Sequence, residues 1–296
     1  MQPFISVIIP TFNRPAKLEQ CLQAIESIRF SRDGFEVIVV DDGSPQPLDS
    51  VAVRFASRLP VRMIRQANAG PAAARNAGLA AARGEIAAFT DDDCYPAEDW
   101  LEQLQAVFAR SPGVAVAGRV VNALPGNVFS NASQLLLDYL YDYFNIRSGK
   151  PCFFTSNNIA FPAEALRRLG GFDTTFPLAA GEDRELCDRW VHHGFKFEYA
   201  PEALVYHAHY LGMKAFLRQH FNYGRGAYFF HKSRENRGAG PFKVEPLPFY
   251  GNLLLYPFRS RSKDRPFATA FLFATSQLAT AAGFFRQTLV RAGSRV

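Results

Sequence analysis

Three adjacent carboxylates, Asp91, Asp92 and Asp93, close the apolar run Ile86 to Phe89 within GEIAAFTDDDCYPAEDW. Like charges this close repel, so a chain that keeps them together gains from a cation among them. Capping the next helix needs one Asp, not three. Carboxylates suit Mg²⁺ or Mn²⁺, and Mg²⁺ takes one or two of them and fills its shell with phosphate and water. The expected partner is a metal-bound diphosphate. A second pair, Asp41-Asp42, ends the run FEVIVV and enters Gly43-Ser44. Turn chemistry accounts for Gly43 and Ser44 but not for two Asp. A carboxylate at a strand end can accept a hydrogen bond from a nucleobase N–H or a ribose hydroxyl.

The elements that must carry these acids alternate. FISVIIP (Phe4 to Pro10) reads as a buried strand, and PAKLEQCLQAIESI (Pro15 to Ile28) has helical spacing with Pro in its first turn. A strand from Phe35, a weaker helix ending near Arg58, the strand VRMIRQ and the Ala-rich helix between Gly70 and Gly84 follow. Then come the acidic strand, a helix over about 97–110, and VAVAGRVV. Strands separated by helices of this length predict right-handed βαβ units and a mostly parallel, doubly wound α/β sheet. Ligands of such sheets sit beyond the carboxyl ends of the strands, so Asp41-Asp42 and Asp91–Asp93 are expected on one rim. Further on, FFTSNNIAFP (153–162) reads as a strand, AEALRRLGGF as a short helix, GEDRELCDRWVHHG as a helix with acids first and histidines last, and FKFEYAPEALVYH as extended chain.

SVIIPTFNR, VIVVDDGS, NAGPAAARNAGL, GEIAAFTDDD and GEDRELCDRW occur in this order over about residues 4–210, and together they resemble a family 2 glycosyltransferase of the GT-A fold. The resemblance implies an inverting transferase that uses a nucleoside-diphosphate sugar, by default a UDP-sugar, with Mn²⁺ or Mg²⁺. It implies donor contacts at Pro10, Thr11, Phe12, Arg14, Asp42, Arg75, Asp91 and Asp92, and metal ligation by Asp93 and His207. Asp183 matches the family's general base. Asn157, Asn158 and Glu182 are expected on the acceptor side, the acceptor being a saccharide or a lipid-linked sugar of the cell surface.

The chemistry needs such parts on its own account. In-line displacement at the anomeric carbon leaves charge on the departing nucleoside diphosphate, which a metal and an Arg offset. The acceptor hydroxyl must lose its proton to a carboxylate on the other face of the sugar, hence to a segment other than the Asp91–Asp93 rim. His192 and His193 read as helix-end charge, and His209 as an ordinary histidine. Processive membrane synthases of the family carry Q-x-x-R-W after the acidic pair. Here Arg189-Trp190 lies inside the acidic helix with Leu186 at the Gln position, so addition of a single sugar is expected.

The 296 residues, 48% of them hydrophobic, suffice for a large core and argue against wholesale disorder. Four dispersed cysteines without a C-x-x-C pair read as thiols of a reducing cytosol, and the N-terminus has no basic region ahead of its apolar run, so a cytoplasmic protein is expected. Residues 1–213 carry 19 Lys/Arg against 24 Asp/Glu, net −5, whereas 214–296 carry 14 against 3, net +11. This divides the chain into a catalytic region, 1–212 (donor half 1–115, acceptor half 116–212), and a helical, basic, aromatic extension, 213–296. Phe267 to Phe285 has no charge and an apolar stripe at 267, 271, 274, 278, 281 and 285. Three readings stand open: a helix lying on a membrane, a helix packed on its own domain or a partner, and a membrane span. The basic stretch RSRSKDR suits a membrane surface or a lipid-diphosphate. No nucleic-acid module accompanies the charge, and the acidic rim opposes nucleic-acid binding. A sugar nucleotidyltransferase would favour a Gly-rich, basic loop after the first strand, where this chain has PTFNRP. A degenerate carbohydrate-binding protein need not keep both metal acids and base.

Overall fold

A computed structural model describes residues 4–240, 244–260 and 265–293, with side chains through 290. The expected alternation is present: β1 (Ile5–Thr11), α1 (Pro15–Glu26), β2 (Phe35–Asp41), α2 (Asp49–Val53), β3 (Val61–Arg65), α3 (Pro71–Ala81), β4 (Ile86–Phe89), β5 (Cys94–Pro96), α4 (Trp100–Arg110) and β6 (Ala115–Asn122). The second half holds α5 (Val128–Tyr141), a π-helical turn (Asp142–Ile146), a 3-10 turn (Ser156–Asn158), β7 (Ile159–Pro162), α6 (Ala163–Arg168), α7 (Glu182–His192), β8 (Phe197–His207), α8 (Met213–Asn236), α9 (Leu247–Arg259) and α10 (Pro266–Gly293).

The eight strands form one sheet in the order β3-β2-β1-β4-β7-β6-β8-β5. The β3-β2-β1-β4 block is parallel, and β7 joins antiparallel to both β4 and β6. Every residue of β1 and β2 is buried, as strands covered by helices on both faces must be. Alternation divides their side chains. Val7, Ile9, Val37 and Val39 meet Leu18, Leu22, Trp100 and Leu104 on one face. Ile8, Ile38 and Val40 meet Leu79, Leu166 and Trp190 on the other.

One expectation is corrected, and one left open is narrowed. The strand expected over 153–162 is strand only from Ile159. Before it, the Asn145 side chain bonds the backbone of Cys152 and Phe153, and the chain turns at Ser156–Asn158. The apolar stripe of α10 does not face the domain. The helix buries Thr269, Leu272, Phe273, Ser276 and Gln287 and turns Phe267, Phe271, Leu278 and Phe285 outward. Leu272 and Phe273 share a third core with Ala132, Leu136 and Tyr139 of α5, Phe216 of α8, and Phe249 and Leu253 of α9, so this core crosses the expected boundary at 212/213. Part of the basic stretch, 261–264, lies outside the described residues.

Candidate active site

Thr11 ends β1 between the two acidic turns. It pairs with Asp41 in the parallel register, and its Oγ1 donates to Asp92 Oδ2 at 2.7 Å. The two expected acid groups therefore meet on one rim. Asn13, held in the left-handed region at φ 53°, donates its backbone N–H to Ser44 Oγ and ties the loops after β1 and β2 together.

Asp42 is buried and accepts from Gln66 Nε2, Ala69 N and Gly70 N at 2.7, 3.0 and 2.8 Å. It thereby shapes the 66–70 segment leading into α3. Beside it Phe12 stands open to solvent while Pro10 is buried in the strand.

The positive partners of the acidic triplet are built into the fold. Arg14 reaches Asp92 Oδ1 at 2.6 Å and Asp93 Oδ2 at 3.1 Å, and Lys17 reaches Asp93 Oδ2 at 3.1 Å. Antiparallel pairing of β5 with β8 sets Cys94 opposite His207 and brings His207 Nε2 to 3.2 Å from Asp93 Oδ1. His209 Nδ1 lies 3.8 Å from Asp93 Oδ2. Burial pushes Asp92 up to about 7 against the pull of Arg14 and Thr11. Burial acts on Asp93 too, but the hydrogen bond and charge of His207, with Arg14 and Lys17, outweigh it and hold Asp93 far below the carboxylate range. Burial and the neighbouring His207 lower His209 to about 4.

Asp93, Cys94 and His207 offer ligand atoms within 4.8 Å of one another, the candidate metal group among the described residues. Burial holds the Cys94 thiol well above its usual pKa, which leaves Asp93 and His207 as the readier ligands. One carboxylate and one imidazole then fit a hard or borderline divalent ion whose remaining positions go to phosphate and water. The guanidinium and ammonium now on Asp93 supply positive charge where such an ion would.

The other side of the cleft comes from α7. Gly181 precedes the helix at φ 92°, a conformation that strains any L side chain, and it presents Glu182 and Asp183 on the first turn. Arg75 on α3 is buried and spans the two sides. Its guanidinium holds Asp91 Oδ1 at 2.9 Å and Glu182 Oε1 at 3.2 Å, stacked on the Phe172 ring at 5.3 Å. Glu182 Oε2 is buried without a hydrogen-bond partner among the described residues. Asp183, half-buried, accepts from the Arg184 N–H at 2.7 Å. Burial raises both carboxyls, and the charge of Asp183 raises Glu182 further.

The expected acceptor pair separates. Asn157 meets Thr155 Oγ1 at 2.7 Å. Asn158 is wholly enclosed: it accepts from Trp100 Nε1 and donates to Arg119 O and Ala203 O at 2.9, 2.9 and 2.8 Å. Gly118 leaves room for it, since a Cβ there would stand 2.4 Å from Asn158 Nδ2. Both amide protons are spent on the join of β6 and β8, so Asn158 has no donor to offer an acceptor, and the structure corrects that expectation. Arg189 is likewise committed, to Glu185, Leu169 O and Gly171 O, and Trp190 Nε1 donates to Lys196 O. Sequence reasoning did not single out Lys17, whose signal was its place three residues after Arg14 on the first turn of α1, and it set His209 aside.

The acid-and-histidine rim of this doubly wound sheet and the carboxylate pair of α7 are thus joined through Arg75. The profile of glycosyl transferase family 2 matches residues 6–170, over half of the chain, and the chain belongs to that family. A second profile, N-terminal domain of galactosyltransferase, matches residues 137–211. Among curated proteins, the pre-mycofactocin glycosyltransferase of Mycobacterium tuberculosis is 31% identical over 228 residues, covering 75% of this chain and 46% of that protein. Glycosyltransferase AglE of Haloferax volcanii is 29% identical over 235 residues, covering 76% and 73%. The chain thus spans less than half the length of the first relative. Among solved structures, the mannosyltransferase PcManGT from Pyrobaculum calidifontis in complex with GDP-Man and Mn²⁺ superposes with a TM-score of 0.64 at 22% identity, covering 100% of this chain and 80% of that one. TarS 1-349 of S. aureus in complex with UDP-GlcNAc gives 0.56 at 18%, covering 98% and 92%. These two likenesses establish the GT-A fold.

Proposed function

We propose that the protein is an inverting, metal-dependent glycosyltransferase. It moves one sugar from a nucleoside-diphosphate donor, by default a UDP-sugar, to a hydroxyl of a saccharide or lipid-linked acceptor in cell-surface glycan synthesis, on the cytosolic side of the membrane. The observation that carries this reading is the Arg75 bridge, which joins Asp91 of the donor rim to Glu182 beside Asp183 and so sets both halves of the machinery on one cleft. The solved structures that share the fold hold GDP-Man and UDP-GlcNAc, which supports a nucleotide-sugar donor.

Asp93 and His207 would hold Mn²⁺ or Mg²⁺, which when bound supplies Lewis-acidic charge to the leaving diphosphate. Phe12 offers an open ring beside Asp42 for the nucleobase. Arg14 and Lys17 stand within reach of the same diphosphate and hold the triplet's negative charge until it arrives. Asp92, drawn in by Thr11, positions that rim. On the opposite side the unpartnered Glu182 Oε2 accepts a sugar or acceptor hydroxyl. Asp183 takes the acceptor proton as its oxygen attacks the anomeric carbon from the face away from the diphosphate, which inverts the configuration. The raised pKa of the pair favours proton uptake near neutral pH. The test is sugar transfer by Asp183→Asn with nucleotide binding measured alongside. Turnover should fall about 10²–10⁴-fold with nucleotide affinity kept. Unchanged turnover would remove Asp183 from the role.

A further inference from the structure

Helix α10 is built with its polar side inward. Ser276 is buried and its Oγ donates back to Phe273 O, while Thr280 Oγ1 donates to His220 O at 3.2 Å and the buried Gln287 Oε1 accepts from Arg225 Nε at 3.0 Å, both on α8. The opposite side carries Phe267, Phe271, Leu278, Phe285 and Leu289, exposed by 80, 62, 71, 65 and 72%. At 100° per residue these five fall within one narrow sector directly across from the buried face. The stripe continues onto α9, where Phe258 meets the Phe267 ring at 5.1 Å and Leu255 is half-exposed. A row of large apolar side chains pointing away from its own domain fits an apolar surrounding, not water.

We infer that this outer face of α9 and α10 docks the protein on an anionic phospholipid surface, with α10 lying in the plane of the interface and not crossing it. The inference deepens the membrane-side placement in the proposed function, rests on that reading for its biological setting, and uses none of the catalytic assignments. Charge names the occupant. From Leu247 to Val296 the sequence holds seven Lys/Arg and one Asp/Glu; Arg259 and Arg265 precede the apolar row and Arg286 stands near its end, between Phe285 and Leu289. Basic flanks around an apolar stripe match acidic headgroups around acyl chains. A second copy of the chain would bring the same basic ends together, with no acidic residue between 266 and 290 to offset them.

By length and composition Pro266–Val290 is able to cross a bilayer. Its packing opposes that. A Cβ at Gly224 of α8 would stand 1.8 Å from Thr280 O, and one at Gly283 would stand 1.9 Å from Phe221 O, so the two backbones touch. Helix α8 is in turn anchored to the catalytic region, where Arg237 beyond its end pairs with Asp188 at 2.7 Å. To span, α10 would have to leave α8 and carry Thr280 and Gln287 into hydrocarbon, at the cost of their partners His220 and Arg225. The same α8 presses Gly226 against Ala180 O, just ahead of Asp183, so a docked α10 holds the acceptor side of the cleft near the lipid surface.

The test is flotation of the full chain, without substrate, on vesicles of phosphatidylcholine alone and of phosphatidylcholine with phosphatidylglycerol in equal parts. Binding to the anionic vesicles, weakened by salt and at least about tenfold stronger than to the neutral ones, is expected. Phe271→Ser/Leu278→Ser/Phe285→Ser, at exposed positions, should lose at least about tenfold of that binding with its melting temperature kept. Arg265→Gln/Arg286→Gln should lose the anionic preference, which keeps the inference testable should the apolar variant misfold. Absence of binding to anionic vesicles, binding unaffected by both variants, or a concentration-dependent dimer dissolved by the apolar variant without vesicle binding would overturn the inference. Because no donor or acceptor is present, a failed transferase reading would leave this result unchanged.

Discussion

Replacing Arg75 by Met tests the bridge between the two halves of the cleft. The guanidinium is almost wholly buried and holds Asp91 and Glu182 at 2.9 and 3.2 Å. Met fills similar volume but leaves both carboxylates beside Asp183 with no cation. Breaking a buried ion pair from one side costs about 3–5 kcal/mol, and that is the expected loss in chemical denaturation near pH 8. The sign of the pH dependence follows from what Arg75 does now. Its charge pulls Glu182 and Asp183 down against the burial that raises them. Without it the folded carboxyls rise further, the native state holds more protons than the unfolded chain, and the variant regains stability as pH falls. Each unit of extra rise returns about 1.4 kcal/mol, so near pH 6 the deficit should shrink by at least about that much. Arg75→Lys, which keeps the charge but not the fork, should fall between. A deficit below about 1 kcal/mol near pH 8, or one that grows toward acid pH, would mean that Arg75 does not hold these carboxylates together.

Other outcomes follow from the same geometry. Since burial raises Asp183 and Glu182 and the base must be ionised to work, kcat/KM should fall as pH drops, with its midpoint above the ordinary carboxylate value of about 4. A limb at or below that value would count against the pair. Asn158→Ala strands the Trp100 N–H and two buried carbonyls, so it should cost about 3 kcal/mol in denaturation while leaving the acceptor KM nearly unchanged. The reverse pattern would return Asn158 to the cleft.

Much of the sheet was legible because β1, β2 and β4 are short apolar runs, and because β2 and β4 lead into Asp, a pattern that gives strand, burial and rim together. The meeting of Asp42 with Asp91–Asp93 followed from parallel topology alone. Arg75 was legible as a site residue but not as a bridge, since its partner Glu182 lies 107 positions away in the chain. Asn158 misled for a related reason. Polar residues in a turn suit a cleft equally well, and only the cavity made by Gly118 and the approach of Ala203 reveal a framework role. In α10 periodicity found the apolar stripe but not its direction. The close contacts at Gly224 and Gly283 set that direction, and they belong to the pairing of two helices, not to either sequence alone.

The proposed function requires the acidic rim to hold a metal for a nucleoside-diphosphate donor. Its most direct test is calorimetric titration of the protein with UDP, GDP and dTDP, with and without Mn²⁺, repeated on Asp93→Ala. One nucleotide, UDP by default, should bind in the presence of metal, and Asp93→Ala should lose the metal-dependent part by at least about tenfold. No nucleotide binding under any metal condition, or binding untouched by Asp93→Ala, would contradict it.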